Sequence, residues 1–383
     1  MVVRHPQRLP LLALGMLALL TGLWAGLARL GWDVPLPRPG FSSLHGPLMV
    51  SGFLGTLISL ERAVALGRPW AYAAPLLTGL GGVGLIVGAP LIAAQWLILA
   101  GSLGLVAIFA AIIRRHPALY TFTMGGGSLV WALGNLLWCL GWPVFLVVFW
   151  WAAFLVVTIA GERLELARLQ QVTGAAQATF LLLLGILLTG LLLLGWSFDG
   201  GVRLFGLGLA GLALWLGRHD IARRTVKQAG LTRFIAICLL TGYVWLGISG
   251  LSAMWFGGVP VGPQYDATLH AFFLGFVFAM IFAHAPIIFP AVLGARMTYR
   301  PLFYAHVVLL QVTLAVRLIG DAAGWSAGRQ VGGLLNAVTL LLFLVNTVSA
   351  LQSPPERAGT AQGRGRDVCK LQTAASPVKG PVE

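Results

Sequence analysis

Residues 266–291 read DATLHAFFLGFVFAMIFAHAPIIFPA, an apolar run that includes two histidines, His270 and His284. A helix rises about 1.5 Å per residue, so roughly 20 such residues cross the hydrocarbon core of a bilayer. Backbone groups in lipid must be hydrogen-bonded within their own segment, which makes the run a helix. A titratable ring in hydrocarbon is costly and usually has a partner or a function. The run therefore predicts both a membrane span and a site.

Similar apolar runs follow one another along the whole chain. Of its 383 residues, 58% are hydrophobic and 9% are charged, whereas a soluble domain carries about 25% charged residues. We therefore predict an all-α, polytopic membrane protein surrounded by the lipid bilayer. Residues 1–351 form its twelve-span transmembrane domain, and residues 352–383 form a disordered cytoplasmic tail. The predicted spans are 10–31, 44–66, 71–89, 91–113, 120–140, 143–165, 176–196, 201–217, 233–255, 266–291, 301–320 and 331–351.

The charges predict the orientation. The formal net charge of +14 does not indicate a nucleic-acid partner, because the arginines lie in short loops between apolar spans. They recur in every second loop, and the positive-inside rule then puts both termini in the cytoplasm, with the protein in a bacterial inner membrane. The N-terminus lacks a small-residue cleavage site, which favours a retained first span over a signal peptide. The three cysteines form no C-x-x-C and predict neither a disulfide framework nor a zinc site.

A weak internal repeat is visible in two of the spans. The second span ends LISLERAVAL and the sixth ends TIAGERLELA about 100 residues later, so that Glu61-Arg62 and Glu162-Arg163 occupy matching cytoplasmic ends. The tenth span would be the third copy, although it has no Glu-Arg pair. Three four-helix units follow, with the second, sixth and tenth helices equivalent. We expect the two Glu-Arg pairs to form ion pairs at the membrane interface.

Depth along the helices sorts the four intramembrane histidines into two levels. His45 begins the second span and His270 lies near the start of the tenth, and both spans enter from the outer side. His284 is roughly 21 Å deeper than His270 at the usual rise. His306 is a few residues into the returning eleventh span, at the same inner level. Two pairs are therefore predicted: His45 with His270, and His284 with His306.

Each pair of histidines has more than one possible role. Imidazole is a frequent ligand of haem iron and copper, so His45 and His270 are candidate axial ligands. His284 and His306 could bind a second metal such as copper, relay protons or hydrogen-bond each other. All four rings could instead be hydrogen-bonding groups between helices. Three methionines, Met49, Met124 and Met280, are either soft copper ligands or packing residues.

One intramembrane arginine completes the candidate set. Arg317 lies in the outer third of the eleventh span, one turn before Asp321. It could bond a carboxylate of a cofactor, because an arginine fork suits carboxylates. It could equally pair with Asp321.

Within the tenth span, His270, Ala271, Gly275 and Met280 form the pattern H-A-x3-G-x4-M. This pattern resembles the NnrS family of twelve-span membrane proteins that contain haem and copper, and also the tenth span of haem-copper oxidase subunit I. The second span, LHGPLMVSGFLGTLISLE, has its histidine at the outer start, as in both families. The resemblance implies a haem held by His45 and His270, with Arg317 near its propionates. It also implies electron transfer with a redox partner or quinone, or the handling of nitric oxide or a similar diatomic gas. No C-x-x-C-H motif is present, so the haem would be non-covalent haem b.

The chain also departs from both families. The oxidases carry copper ligands on their sixth and seventh spans, where this chain has no histidine. An oxidase-type binuclear centre is therefore not expected. Gly294-Ala295-Arg296 stands where NnrS proteins usually have a glycine-histidine ending. Two alternatives remain: a twelve-span secondary transporter with histidines as proton carriers, favoured by Pro286 and Pro290, and a membrane assembly factor with structural histidines.

Overall fold

The computed structural model describes residues 5–167 and 173–352, and these residues are almost entirely helical. Twelve long helices follow one another in the described part of the chain, and each corresponds to one predicted span. The predicted tail at 352–383 lies outside the described residues, apart from the backbone of Gln352. The helices are α1 (Leu9–Arg29), α2 (Phe41–Leu66), α3 (Ala73–Val87), α4 (Leu91–Arg115), α5 (Leu119–Cys139), α6 (Val144–Ala167), α7 (Gly174–Leu193), α8 (Phe198–His219), α9 (Gly230–Phe256), α10 (Pro263–Leu293), α11 (Phe303–Ala323) and α12 (Ser326–Ser349).

Length and composition identify a multi-pass membrane protein. Eleven of the described helices are long and apolar enough to cross a membrane. The twelfth, α5, has 21 residues and no charged side chain, but its glycines, threonines and Asn135 make it less apolar. Large apolar side chains such as Leu182, Leu214 and Val244 are exposed on the outer helices, as expected for surfaces that contact lipid.

Three helices occupy the centre of the bundle. The most apolar stretch of α6 is 83% buried, compared with 28% for α7 at the periphery. Helix α10 contacts α2 and α6 as well as its neighbours α9, α11 and α12, and α2 packs against α1, α3 and α4. The second helix of each proposed four-helix unit therefore lies inside, with the other helices around it.

Each of the three central helices carries a buried phenylalanine between the levels of the two histidine pairs. Phe53 of α2, Phe154 of α6 and Phe278 of α10 are each at most 2% exposed. Phe53 and Phe154 both lie eight residues before the glutamate of a Glu-Arg pair. The rings of Phe53 and Phe278 stack with centroids 6.2 Å apart. Equivalent positions of the three central helices thus carry the same residue.

Hydrogen bonds connect the end of α10 with the segment after α12 and with the segment before α1. Strand β1 (Arg296–Met297) pairs antiparallel with β2 (Leu351–Gln352) just after these helices. The Arg8 guanidinium donates to the carbonyl of Val292 at 3.1 Å, at the helix end where a cation is favoured. These contacts fix the inner end of α10 although Pro286 and Pro290 remove two of its backbone donors.

Candidate functional site

The structure brings His45 and His270 together near one end of the bundle, which the predicted orientation makes the outer level. Their ring centroids are 6.1 Å apart and the ring planes differ by 21°. The rings come from α2 and α10, two of the three central helices. The sequence predicted this pairing from depth alone.

Both rings are held by the same kind of hydrogen bond. His45 Nδ1 lies 2.8 Å from the carbonyl oxygen of Gly22 on α1, and His270 Nδ1 lies 2.9 Å from the carbonyl oxygen of Asp266. A carbonyl only accepts, so each Nδ1 carries the proton and donates. Each Nε2 therefore keeps its lone pair, and neither has a hydrogen-bond partner among the described residues. Metal-binding histidines show this pattern, with the second ring nitrogen donating to a carbonyl or carboxylate.

Two glycines of α1 make room for the side chains of α2. A Cβ added at Gly26 would lie 2.7 Å from His45 Nδ1, and one added at Gly22 would lie 2.8 Å from Met49 Sδ. A real Cβ essentially never comes this close. Helix α1 thus approaches His45 along a surface without side chains, and this close approach lets the Gly22 carbonyl reach the ring.

A buried ion pair lies on the Nδ1 side of His270. Arg317 of α11 binds Asp266 through both carboxylate oxygens, with Nε–Oδ2 and Nη2–Oδ1 distances of 2.9 Å. The Oδ1 of Asp266 is also 3.3 Å from His270 Nδ1. The alternative pairing of Arg317 with Asp321 is wrong, since Asp321 lies 3.2 Å from Arg329 Nε on α12. Arg317 reaches across to α10 because its side chain points toward the bundle centre.

A cavity of about 420 Å³ opens between the central helices at this level, within the usual range of about 300–1,000 Å³ for small-molecule sites. It runs inward from the two histidines to Leu54 and Phe278 and is lined largely by aliphatic and aromatic side chains. Asn336 of α12 lies in its wall at 2% exposure, and its Nδ2 has no partner among the described residues. A ligand in the cavity would contact mainly apolar side chains, the two imidazoles and the amide donor of Asn336.

The outer end of the cavity is positively charged. Arg29, Arg317 and Arg329 all line it. Two of them face carboxylates, whereas Arg29 has no ion-pair or hydrogen-bond partner in the described ranges. The fork of Arg317, which the sequence assigned to a cofactor carboxylate, is occupied by Asp266 through two of its nitrogens. Arg29 is therefore the guanidinium most available to an anionic group at the mouth.

Both histidines precede an unusual stretch of helix. The segments Leu48–Gly55 of α2 and Ala271–Phe278 of α10 are π-helical. Such segments are rare in proteins and are frequent at functional sites. The stacked rings of Phe53 and Phe278 lie eight residues beyond His45 and His270, so the two helices are related by a local pseudo-symmetry. One ring of this pair, Phe278, lines the cavity.

The inner level has a different organisation from the one predicted. His284 Nδ1 lies 2.6 Å from the carbonyl oxygen of Met280, and Arg163 Nη2 of α6 donates to His284 Nε2 at 2.8 Å. Both nitrogens of His284 are therefore engaged, and the expected hydrogen-bonded pair with His306 does not form. Depth along a helix does not determine the direction of a side chain around the helix axis, and His284 points toward α6.

His306 lies instead in an aromatic cage. Its ring is 2% exposed and its Nδ1 accepts from Asn346 Nδ2 at 3.3 Å. The surrounding rings have centroids 4.7–6.3 Å away and belong to Phe234, Phe282, Phe303 and Phe343. In the described part of the chain, no group of three or more His, Cys, Asp or Glu side chains is placed to hold a metal ion.

The Glu-Arg pairs of the internal repeat meet at this inner level. Arg62 of α2 forms ion pairs with Glu61 and with Glu162 of α6. The next residue, Arg163, binds His284 of α10. The three central helices are thus connected by one polar cluster, to which α10 contributes His284, two residues before the positions equivalent to the Glu-Arg pairs. The expected ion pair between Glu61 and Arg62 forms, whereas Glu162 pairs with Arg62 of α2 and its neighbour Arg163 binds His284.

Sequence reasoning did not assign Asp266, Gly26 or Arg29 to the site. Asp266 carries a readable signal, because it precedes His270 by four residues and therefore lies on the same face of α10. Gly26 and Arg29 give no such signal, since their importance comes from the approach of α1 to α2. Met49 lines the cavity, whereas Met124 and Met280 pack against glycines of neighbouring helices.

Comparison with known proteins gives a family without an assigned activity. No curated protein and no solved structure gives a significant match to the chain. One family model, described as a domain of unknown function (DUF8744), matches residues 8–352 and so covers all twelve helices together with the histidine pair and its cavity. The chain therefore belongs to the DUF8744 family.

Proposed function

We propose that the outer cavity binds a b-type haem between His45 and His270 and that the protein transfers electrons at the membrane. The main support for the proposal is the pair of imidazoles. In each ring Nδ1–H donates a hydrogen bond to a carbonyl, and Nε2 has no hydrogen-bond partner among the described residues. A metal–nitrogen bond of about 2.0–2.1 Å and a ring radius of roughly 1.1 Å put two imidazoles on opposite sides of one metal about 6.3 Å apart, centroid to centroid. The separation between His45 and His270 is 6.1 Å.

The donor set favours haem over a bare metal ion. A bare copper or zinc ion normally needs three or four protein ligands. Haem iron receives four nitrogens from its macrocycle, so that His45 and His270 would suffice as its protein ligands. The apolar sleeve suits the macrocycle, and Arg29 suits a propionate at the outer mouth. The resemblance to NnrS and oxidase-like proteins supports the same pair of residues.

Haem would supply one-electron redox chemistry at this site. His45 and His270 would both be engaged in holding the haem, which would leave no protein-free site on the iron for a gas, so we favour electron transfer over nitric oxide handling. The protein's own residues orient the two rings, and the surrounding apolar residues exclude water. A quinone or a redox protein in or at a bacterial inner membrane is the proposed partner. The secondary-transporter alternative has no comparable support, because it rests on Pro286 and Pro290 alone.

Purification in detergent from cells that make haem tests the proposal. The protein should show the absorption and electron paramagnetic resonance spectra of a low-spin, six-coordinate b-type haem. His45→Ala and His270→Ala should each abolish that signature. The matched control is His219→Ala, since His219 lies at the inner end of α8 with its Nδ1 bonded to Trp215. Wild-type protein without haem, or full occupancy with an unchanged spectrum in both variants, would contradict the proposal.

A further inference from the structure

The two histidines of the outer pair have unequal surroundings. His45 Nδ1 donates to a single neutral acceptor, the carbonyl of Gly22, at 2.8 Å. His270 Nδ1 has the carbonyl of Asp266 at 2.9 Å and also the carboxylate of the same residue at 3.3 Å. A carboxylate beside the second ring nitrogen orients an imidazole and raises its basicity as a ligand. His270 therefore has the stronger support.

The carboxylate is itself fixed in place. The side chain of Asp266 is 15% exposed and that of Arg317 is 6% exposed. The bidentate geometry between them sets the rotation of the carboxylate as well as its position. An aspartate in the membrane without this partner would be costly. Arg317 thus holds the Asp266 carboxylate in place beside His270.

We infer that Asp266, held by Arg317, is a positioning residue for His270, so that His270 would bind the iron more tightly than His45. This inference rests on the proposed haem site. It changes the role of Arg317 from a direct contact of the cofactor to a support for the ligand. It also assigns a role to Asp266, whose carboxylate lies beside His270 and not beside His45.

Haem titration of the apoprotein, followed by Soret absorbance, tests this inference in two backgrounds. In His45→Gly protein, His270 is the remaining ligand, and Asp266→Asn should weaken haem binding by about 10–100-fold, the usual effect of losing such a supporting group. In His270→Gly protein, Asp266→Asn should leave haem binding unchanged, because the ring that it serves is absent. His270→Gly should also weaken binding more than His45→Gly does.

Two further variants keep the result interpretable. Asp266→Asn alone leaves a buried guanidinium without its carboxylate, so the combined variant Asp266→Asn/Arg317→Gln is measured as well and should show the same dependence on background. Asp199→Asn is the matched control, because Asp199 is an acid near the start of α8 that pairs with the exposed Arg203. It should change nothing in either background.

The outcomes separate this inference from the proposed function. Equal weakening by Asp266→Asn in both backgrounds would indicate a general structural role and overturn the inference, as would no weakening in either. Both results would leave the haem site standing. Wild-type protein that takes up no haem would remove the proposed function and the inference together. Exogenous imidazole gives a second readout, since it should restore a six-coordinate spectrum more readily in His45→Gly than in His270→Gly.

Discussion

Replacing Gly26 by alanine tests whether the approach of α1 to α2 sets the position of His45. The added methyl group would lie 2.7 Å from Nδ1 and 2.9 Å from Cε1 of the ring. Ordinary contact begins at 3.4 Å, so the ring or the helix must move by about 0.7 Å. A movement of this size would also stretch the hydrogen bond from Nδ1 to Gly22, which is 2.8 Å long.

The expected cost follows from these distances. Forcing an extra methyl group into a packed site costs about 1–3 kcal/mol, and the loss of one hydrogen bond costs about 0.5–1.5 kcal/mol. Haem binding requires the ring in its original place, so the strain should appear as weaker binding. The cost of the methyl group alone, about 1–3 kcal/mol, corresponds to roughly 5–150-fold in affinity. The ligand geometry should change as well, which would shift the low-spin resonance signals.

Gly126→Ala is the control for this experiment. Gly126 lies within α5, and a Cβ added there would have nothing within 4 Å. We expect its haem affinity and spectrum to match those of the wild type in the same titration. Wild-type affinity and spectrum in Gly26→Ala would refute the reasoning, because His45 would then not be held against α1.

Three further predictions concern the rest of the bundle. Arg62→Leu should destabilise the protein by about 3–5 kcal/mol in thermal unfolding, because Glu61 and Glu162 both lose the arginine with which they pair. Glu162→Leu should cost less, since Arg62 keeps Glu61 as a partner. The double variant should lose less than the sum of the two single variants, and strictly additive losses would argue against a direct pair. His284→Gln and His306→Gln should leave the haem and copper content unchanged in metal analysis, since neither ring has the surroundings of a ligand, and a specific loss of copper would show that this is wrong. Topology reporters at both termini and in the loop between α8 and α9 should read as cytoplasmic, and an external C-terminus would mean an odd number of spans.

Much of the fold could be predicted from composition and periodicity. Lipid imposes helices on any apolar run of sufficient length, so twelve runs gave twelve helices whose ends agree with the prediction to within a few residues. Helical rise then converts sequence offset into depth, which is why His45 and His270 could be placed at one level before any packing was known. The repeat of Glu61-Arg62 and Glu162-Arg163 likewise predicted ion pairs, of which the structure contains the one between Glu61 and Arg62.

The inner pair shows where this reasoning ends. His284 and His306 do lie on adjacent helices, but depth is one coordinate, and the direction of a side chain around its helix depends on how the helices are rotated against each other. Packing turned His284 toward Arg163 and His306 toward four phenylalanine rings. The direction of the Arg317 side chain could not be predicted either, which is why the sequence assigned it to a cofactor carboxylate or to Asp321.

The sequence by itself determined that the chain crosses the membrane many times and that two histidines lie at one outer level, because the cost of polar groups in lipid acts on each segment separately. Only the tertiary structure decided three contacts. Gly26 leaves space for the ring of His45, the Asp266 carboxylate lies beside Nδ1 of His270, and Arg317 forms an ion pair with Asp266. These contacts join helices α1, α2, α10 and α11, which are distant in sequence. Their formation depends on the rotation and close packing of whole helices, a property that no single segment encodes.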